Sequence, residues 1–271
     1  MAALGCRIYR LDHRRLSIYD TRTGEWSDGA RAPHVSGSVS LTAANGRVYA
    51  VHSRRDVASY DPARDTWSDL PRLPGRNMSG TTPIAVDGAL YAFGGEWRVI
   101  RPGEGLDEGT SRAAYVLRPG ASEWEELPEM PTALAWSSAV LLGGLVWLVG
   151  GTNDGAASPA VLSFDPERRE WAYAARLPRP CKCAATTLGG RLYVFGREIG
   201  DRLWGPRELD VESEEWRRLE RRPHEETGSW VDAAVTVDDA MLVLTHSPEQ
   251  LYRYDPGEDA WTRRHPPEAE R

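Results

Sequence analysis

A tryptophan recurs along the whole chain at a nearly constant spacing, and this repeat constrains the possible fold more than any other feature. In five segments it follows an aspartate by six residues: YDTRTGEW, YDPARDTW, FDPERREW, LDVESEEW and YDPGEDAW. A sixth segment, LRPGASEW, has Arg118 in place of the aspartate. The repeat positions are Trp26, Trp67, Trp124, Trp171, Trp216 and Trp261, which are 41, 57, 47, 45 and 45 residues apart. A period of this length indicates a repeat architecture.

Each repeat contains four short apolar segments separated by turn residues. An aromatic segment such as GRVYAV, GALYAFGG, GLVWLVGG or GRLYVFG precedes the tryptophan segment, and a run of small residues precedes the aromatic one. Asn45-Gly46 and Asp87-Gly88 are typical two-residue hairpin turns. With 26 Gly and 19 Pro, the chain is too rich in turn residues for a helical bundle. The sequence therefore predicts an all-β protein, a six-bladed β-propeller of four-stranded antiparallel blades.

The repeat resembles the kelch repeat. Its marks are the paired glycines in LYAFGG and LVWLVGG, the Tyr-Asp-Pro with its tryptophan, and the Leu-Pro that follows in LPRLP, LPEMP and ARLP. Only units three and four keep both glycines, and unit three has lost its aspartate. The resemblance covers essentially the whole chain and implies a kelch-type propeller. Bulky tryptophan side chains suit the gaps between blades, so we predict that all six are structural.

We expect one domain over residues 1–271. The predicted blades span 1–31, 32–75, 76–131, 132–178, 179–223 and 224–266, and a frayed tail spans 267–271. Blades one and six each hold four strands in this division, so the ring would close by blade packing without exchanging a strand.

Composition excludes several classes of partner and compartment. The net charge of −7 argues against a general nucleic-acid binder. The segment from Pro131 to Asn153 is uncharged and long enough to span a bilayer, but Gly143-Gly144 at its centre favours two buried strands joined by a turn. Three cysteines are too few for a disulfide framework, and the N-terminus has no apolar run of signal-peptide length. We therefore expect no nucleic-acid or membrane partner, and a cytoplasmic location.

The two faces of the propeller differ in charge. The six turns between the aspartate (or Arg118) and the tryptophan together carry −10, so the rest of the molecule carries +3. These turns share one face with the turns between strands one and two. The loops between strands two and three and those between blades form the opposite face, called the loop face below. One explanation for the acidic face is that Asp and Glu are good turn residues. Even so, the difference in charge between the two faces would direct an acidic protein or peptide to the loop face.

The loop face holds the most variable segments, including the longest loop, 95–112, so we place function there. The candidate partner-binding residues are Arg54, Arg55, Asn77, Glu96, Trp97, Arg98, Arg101, Trp136, Asn153, Arg197, Glu198, Trp204, Trp230 and His246. Exposed Arg and Trp side chains together are typical of interface hot spots. Trp97 and Trp204 could instead fold back over their own loops, and Trp136 and Trp230 could pack in the core.

The sequence predicts no catalytic residue, metal site or cofactor. The six His are dispersed, and none lies at metal-ligand spacing from another. Cys181 and Cys183 could bind a soft metal, but two strand residues without a nearby His are the better interpretation. Among enzymes of the kelch fold, the mutarotase type uses Arg and Glu near the channel, and Arg98, Glu96, Arg197 and Glu198 could serve in that way.

Two functions remain open on these grounds. The resemblance favours a propeller that binds a protein or peptide and acts as an interaction or substrate-recognition module. Adaptors in ubiquitin ligation are one class of such modules. The alternative is a small-molecule enzyme, mutarotase- or lyase-like, with Glu and Arg at the channel mouth. Arg makes up all but one of the basic residues, with Lys182 the exception. This bias suits a ligase-associated receptor that avoids self-modification, although a GC-rich genome explains it more simply.

Overall fold

The computed structural model describes residues 1–33, 37–101, 105–198, 206–219, 230–246 and 250–264. In these ranges the chain forms six four-stranded antiparallel sheets and two small hairpins. Blade one contains β1 (Ala2–Leu4), β2 (Arg7–Asp12), β3 (Arg15–Asp20) and β4 (Glu25–Gly29). Blade two contains β5 (Val39–Ala44), β6 (Arg47–His52), β7 (Val57–Asp61) and β8 (Thr66–Leu70). Blade three contains β9 (Thr82–Val86), β10 (Ala89–Phe93), β13 (Ala114–Leu117) and β14 (Glu125–Glu126), with the hairpin β11 (Glu96–Arg101) and β12 (Gly105–Thr110) inserted.

The second half of the chain repeats this plan. Blade four contains β15 (Ser138–Leu142), β16 (Leu145–Val149), β19 (Ala160–Asp165) and β20 (Glu170–Arg176), with the hairpin β17 (Thr152–Asn153) and β18 (Ala156–Ala157) inserted. Blade five contains β21 (Cys181–Leu188), β22 (Arg191–Glu198), β23 (Arg207–Asp210) and β24 (Glu215–Arg218). Blade six contains β25 (Trp230–Val237), β26 (Ala240–His246), β27 (Gln250–Asp255) and β28 (Ala260–Arg264). The predicted six-bladed, all-β propeller is confirmed.

The first strands of the blades surround the axis, and each contacts the first strand of the next blade. The ring closes where β25 contacts β1, and blade one keeps four consecutive strands of its own, so no strand is exchanged within the described ranges. Residues 267–271, expected to be a frayed tail, lie outside the described ranges.

The small residues of the first strands have a structural use. Strands converge at the axis, where large side chains would not fit, and short hydroxyl side chains link neighbouring blades. The hydroxyl of Ser138 accepts a hydrogen bond from the backbone N–H of Ala185 at 2.8 Å. The hydroxyl of Thr42 accepts one from the N–H of Ala85 at 3.2 Å. These bonds satisfy backbone groups on the free edges of β21 and β9, which would otherwise cost stability.

The uncharged stretch around residue 143 forms two strands, as predicted. β15 and β16 pair as a hairpin, and Gly143 and Gly144 form the turn with φ angles of 60° and 79°. Across the described ranges, no helix has the length and apolar character needed to cross a membrane.

The repeat tryptophans join each blade to the one before it. Each is the second residue of a fourth strand, except Trp124, which directly precedes β14. The indole N–H of Trp171 donates to the carbonyl of Pro128 in blade three at 2.9 Å, and that of Trp216 donates to the carbonyl of Arg176 in blade four at 2.9 Å. The indoles of Trp67 and Trp124 bond to the preceding blade in the same way. The ring and its N–H therefore both serve the blade interface.

The repeat aspartates are turn residues. In five blades one carboxylate oxygen accepts the backbone N–H two residues ahead, and these aspartates are Asp20, Asp61, Asp165, Asp210 and Asp255. This bond closes the turn before the fourth strand. The backbone N–H and guanidinium of Arg168 hold the pKa of Asp165 below its usual range, and the backbone N–H of Ser213 does the same for Asp210. Local turn chemistry thus explains part of the acidic charge of this face.

We expect these aspartates to make the propeller sensitive to acid. A carboxyl whose pKa is lowered by folding contributes stability above its unfolded pKa of about 4 and loses it as the pH falls through the folded pKa. The double variant Asp165→Asn and Asp210→Asn keeps an oxygen that can accept the turn bond but no longer titrates. Its Tm should fall less than that of the wild type between pH 6 and pH 3. Equal falls in the two proteins would show that other groups govern the acid response.

Candidate partner-binding face

Two short hairpins build the part of the loop face over blades three and four. Each continues its blade beyond the second strand and pairs with the segment that leads into the first strand, through bridges between Ser79 and Glu96 and between Ala135 and Thr152. The hairpins also bond to each other. The backbone N–H of Thr110 donates to the carboxylate of Asp154 at 3.1 Å, and the N–H of Asp154 donates to the hydroxyl of Thr110 at 2.8 Å. The long predicted loop is therefore an ordered hairpin braced by its neighbour.

Arg98 of the first hairpin forms an ion pair across the two strands. Arg98 and Glu108 lie opposite each other in β11 and β12, and the guanidinium donates to the carboxylate at 2.9 Å. Both side chains are mostly exposed. Arg98, a candidate for partner binding and for the enzyme alternative, therefore lies beside a carboxylate that balances its charge.

The end of this hairpin exposes apolar side chains. Ile100 is 79% exposed, Leu106 opposite it is 53% exposed, and Val99 is 42% exposed. Within the described ranges these are three of five large apolar side chains with this degree of exposure. Arg101 ends β11 next to them, and only its backbone is described.

Trp97 turns towards the protein. It packs against the apolar cluster of blades two and three that includes Met78, and it lies over Gly109 on the opposite strand. The guanidinium carbon of Arg76 lies 5.4 Å from the centre of its ring. Trp97 thus folds back over its own loop, which was one of the two arrangements considered for it. Its ring supports the hairpin from below, while Ile100 and Leu106 face solvent above.

Trp136 and Lys182 meet beside the first strands of blades four and five. The Trp136 ring lies against Gly80, and its backbone adopts a left-handed φ of 56°, which is unusual for a bulky residue. The Lys182 ammonium lies 4.0 Å from the centre of that ring, a cation–π contact. Although solvent reaches Lys182, neighbouring blades desolvate its ammonium and lower its pKa, while the charges of Glu96 and Asp232 oppose this shift.

The other predicted residues occupy several positions. Arg55 donates to the backbone carbonyl of Gly75 at 2.9 Å, so it braces the loop that leaves blade two. Arg54 and Asn77 are exposed on the loop face. Arg197 and Glu198 end β22 opposite Lys182 and Cys181. Trp230 of β25 pairs with His246 of β26. The structure describes only the backbone of four residues, which are Arg197, Glu198, Trp230 and His246. Trp204 lies outside the described residues.

A recess of about 450 Å³ opens at the outer rim of the loop face in blade four. Asn153 is the one predicted residue that lines it. Its other walls were not predicted from the sequence; they are Thr132, Ala156, Ala157, Ser158, Pro159, Ala160, Tyr173 and Arg176. We call this site the blade-four recess. Nothing in the spacing of the fourth strand marks Tyr173 or Arg176, because Trp171 and Leu177 are six residues apart, as Trp67 and Leu73 are.

The two cysteines of blade five are interior residues. Cys181 and Cys183 lie two apart on β21, and both are buried in the apolar cluster between blades four and five. In the part of the chain that the structure describes, no three His, Cys, Asp or Glu side chains are grouped as metal ligands.

Curated proteins with similar sequences are kelch-like. The Aspergillus terreus protein terF is 27% identical over 204 residues, which cover 68% of this chain and 43% of terF. Kelch-like protein 35 of Mus musculus is 25% identical over 206 residues, covering 75% of this chain and 33% of the relative. Kelch-like protein 33 of Homo sapiens is 33% identical over 135 residues, covering 48% and 24%. The chain thus spans less than half the length of these relatives.

A solved structure agrees with the fold. The structure of YjhT superposes with a TM-score of 0.77 at 15% sequence identity, covering 97% of this chain and 96% of YjhT. At that identity the likeness concerns the fold alone. No protein-family model matches the sequence. The curated relatives and the propeller both agree with the repeat that the sequence itself displays, so the chain is similar to kelch-like proteins in its sequence repeat and has a kelch-type propeller fold.

Proposed function

We propose that the chain is a protein-binding module whose partner docks on the loop face at the end of the β11–β12 hairpin. The observation that carries this proposal is the exposure of Ile100 and Leu106, which lie opposite each other on one face of this hairpin, with exposed Val99 on its other face. Apolar side chains rimmed by charge are typical of interfaces. Arg98 and Glu108 provide such a rim beside Ile100.

The hairpin is also fixed enough to serve as a docking element. Trp97 holds it against the body of the propeller, and Asp154 of the neighbouring hairpin bonds to its final residue, Thr110. An element that is ordered before binding loses little conformational entropy when the partner arrives. The similarity to kelch-like proteins supports a protein partner as well.

Quantitative affinity purification from source lysate tests this function. The bait Ile100→Ser/Leu106→Ser removes the apolar end, and Leu141→Ser is the matched control, because Leu141 is 43% exposed but lies on β15, outside the loop face. We expect at least one protein to be retained equally by wild type and control and about tenfold less by the double variant. Retention of every captured protein by the double variant, or no capture above background, would contradict the proposal. Equal Tm values establish that all three baits are folded.

The finer form of the proposal is a substrate-recognition role in ubiquitin ligation, in the cytoplasm. Its support is the composition, since all basic residues but Lys182 are Arg, and Lys182 is held over Trp136. A surface with few amines would resist self-modification, although codon bias explains the same composition. The same purification tests this form: a ligase scaffold subunit should be among the retained proteins.

A further inference from the structure

Within the described residues, the blade-four recess contains a cation that forms no ion pair. Arg176 ends the fourth strand of blade four, and its side chain is exposed and forms no ion pair within the described residues. No acidic residue lines the recess. The carboxylate of Asp154, next to Asn153 in the chain, accepts the backbone N–H of Thr110 and keeps its negative charge. In contrast, Arg98, Arg112 and Arg76 on the same face are each paired with a carboxylate. Among the described residues, an anion that arrives in the recess therefore meets a guanidinium that forms no ion pair.

A β-bulge directs Arg176 and Tyr173 to the same side of the sheet. Residues three apart on a regular strand point to opposite faces. Between β19 and β20 the register shifts at Val161 and Leu162, so that Tyr173 lies opposite Leu162 and Arg176 lies opposite Ala160. Directly opposed residues share a face, and Ala160 and Leu162 share one because they are two apart. The extra residue thus places an aromatic ring and a guanidinium together.

The remaining walls of the recess add fixed polar groups. The amide of Asn153 donates to the hydroxyl of Thr132 at 3.5 Å, and the hydroxyl of Ser158 accepts the backbone N–H of Ala160 at 3.2 Å. The Ser158 hydroxyl keeps its own hydrogen for donation to a ligand. The carbonyl of Arg176 accepts the indole N–H of Trp216, which fixes the end of β20 while leaving the guanidinium available.

We propose that the blade-four recess binds an aspartate or glutamate side chain of the protein partner, with Arg176 as the ion-pair donor and the Tyr173 ring as the wall on which the neighbouring part of the peptide packs. This inference rests on the proposed function and adds the chemistry of the ligand. A single guanidinium balances one carboxylate, whereas a dianionic phosphate would leave a charge uncompensated. Arg also binds a carboxylate through two parallel hydrogen bonds.

The test begins with a random peptide library displayed on phage and selected on the wild-type protein. Selected peptides are synthesised, and their affinities for wild type, Arg176→Ala, Tyr173→Ala and Arg31→Ala are measured by fluorescence anisotropy. Arg31 is the matched control, since it is an exposed arginine between β4 and β5, on the same face and outside the recess. We expect selected peptides to contain Asp or Glu, Arg176→Ala to weaken binding about tenfold or more, and Arg31→Ala to change it less than twofold.

A double-mutant cycle locates the contact. Replacing the acidic residue of the peptide with its amide should weaken binding to the wild type by the same factor and should have no further effect on Arg176→Ala. Succinate, inorganic phosphate and a phosphoserine version of the peptide complete the series. Tighter binding of the phosphopeptide, or of succinate compared with the peptide, would overturn the assignment of a peptide carboxylate.

The outcomes separate the two proposals. Acidic peptides whose affinity is unchanged in Arg176→Ala but falls in Ile100→Ser/Leu106→Ser would overturn the recess and leave the protein-binding function standing. Selected peptides without acidic residues would also overturn the recess alone. Failure to select any peptide, together with a negative affinity purification, would contradict both.

Discussion

Gly150→Ala is expected to destabilise the propeller by about 3 kcal/mol, and Gly143→Ala by only about 1 kcal/mol. The two glycines have almost the same left-handed backbone, with φ angles of 62° and 60°, so the conformational cost of a side chain is similar. Their surroundings differ. A Cβ atom at Gly150 would lie 2.5 Å from the carbonyl oxygen of Cys181 in blade five, whereas one at Gly143 would meet nothing within 4 Å.

Urea denaturation and thermal melting of the two variants measure this difference directly. A gap of about 2 kcal/mol corresponds to several degrees in Tm for a chain of this size. Equal losses would mean that only the backbone angle matters and that the blades do not approach closely at the paired glycines. The paired glycines of the repeat therefore have a specific use, because they allow the loop after a second strand to touch the next blade.

Trp171→Ala is expected to cost about 3 kcal/mol, at the lower end of the range for large aromatic residues, because part of the ring stays in solvent. The ring packs against Phe164 in its own blade, with centroids 4.7 Å apart, and against Phe93 in blade three, at 5.4 Å. Trp171→Phe keeps most of this packing and loses the hydrogen bond to Pro128, so it should cost about 1 kcal/mol.

Tyr173→Ala is the control for this series. Tyr173 lies two residues along the same strand and is 64% exposed, so its removal should change stability by less than about 0.5 kcal/mol. Chemical denaturation of the three variants ranks them. If Trp171→Ala and Tyr173→Ala cost the same, the repeat tryptophan does not join the blades as the contacts indicate.

The repeat made the fold readable from the sequence. Because a tryptophan recurs six times in the same role, the repeats can be aligned. The alignment places the start of a fourth strand at or next to each of the six tryptophans. The hairpin turn at Gly143-Gly144 was readable for a similar reason, since the two glycines interrupt an apolar run. Residues 95–112 contain no repeated pattern, and their hairpin depends on contacts with Ser79 and Asp154 that are distant in sequence.

The site was much less readable, because each of its residues occurs once. The sequence indicated the loop face and named Asn153, but it did not reveal that Glu108 pairs with Arg98 or that Arg55 braces a backbone carbonyl. Arg176 and Tyr173 share a face only through a β-bulge, and a bulge leaves no mark in residue spacing. The neighbours of these side chains lie on other strands and blades. Their contacts therefore cannot be predicted from the residues next to them in the sequence.

The absence of a shared strand at the ring junction has a consequence for folding kinetics. Every sheet consists of strands that are near neighbours along the chain, so blade formation involves short loops and is fast. Closing the ring is different, because Ile8 and Tyr19 must meet Val237, Leu242 and Leu244 from the opposite end of the sequence. That step has the largest loop-closure entropy, and among the described residues side-chain packing and contacts between first strands compensate for it. We therefore expect the junction of blades six and one to form last during folding and to open first during unfolding, so that substitutions there change the unfolding rate more than the folding rate.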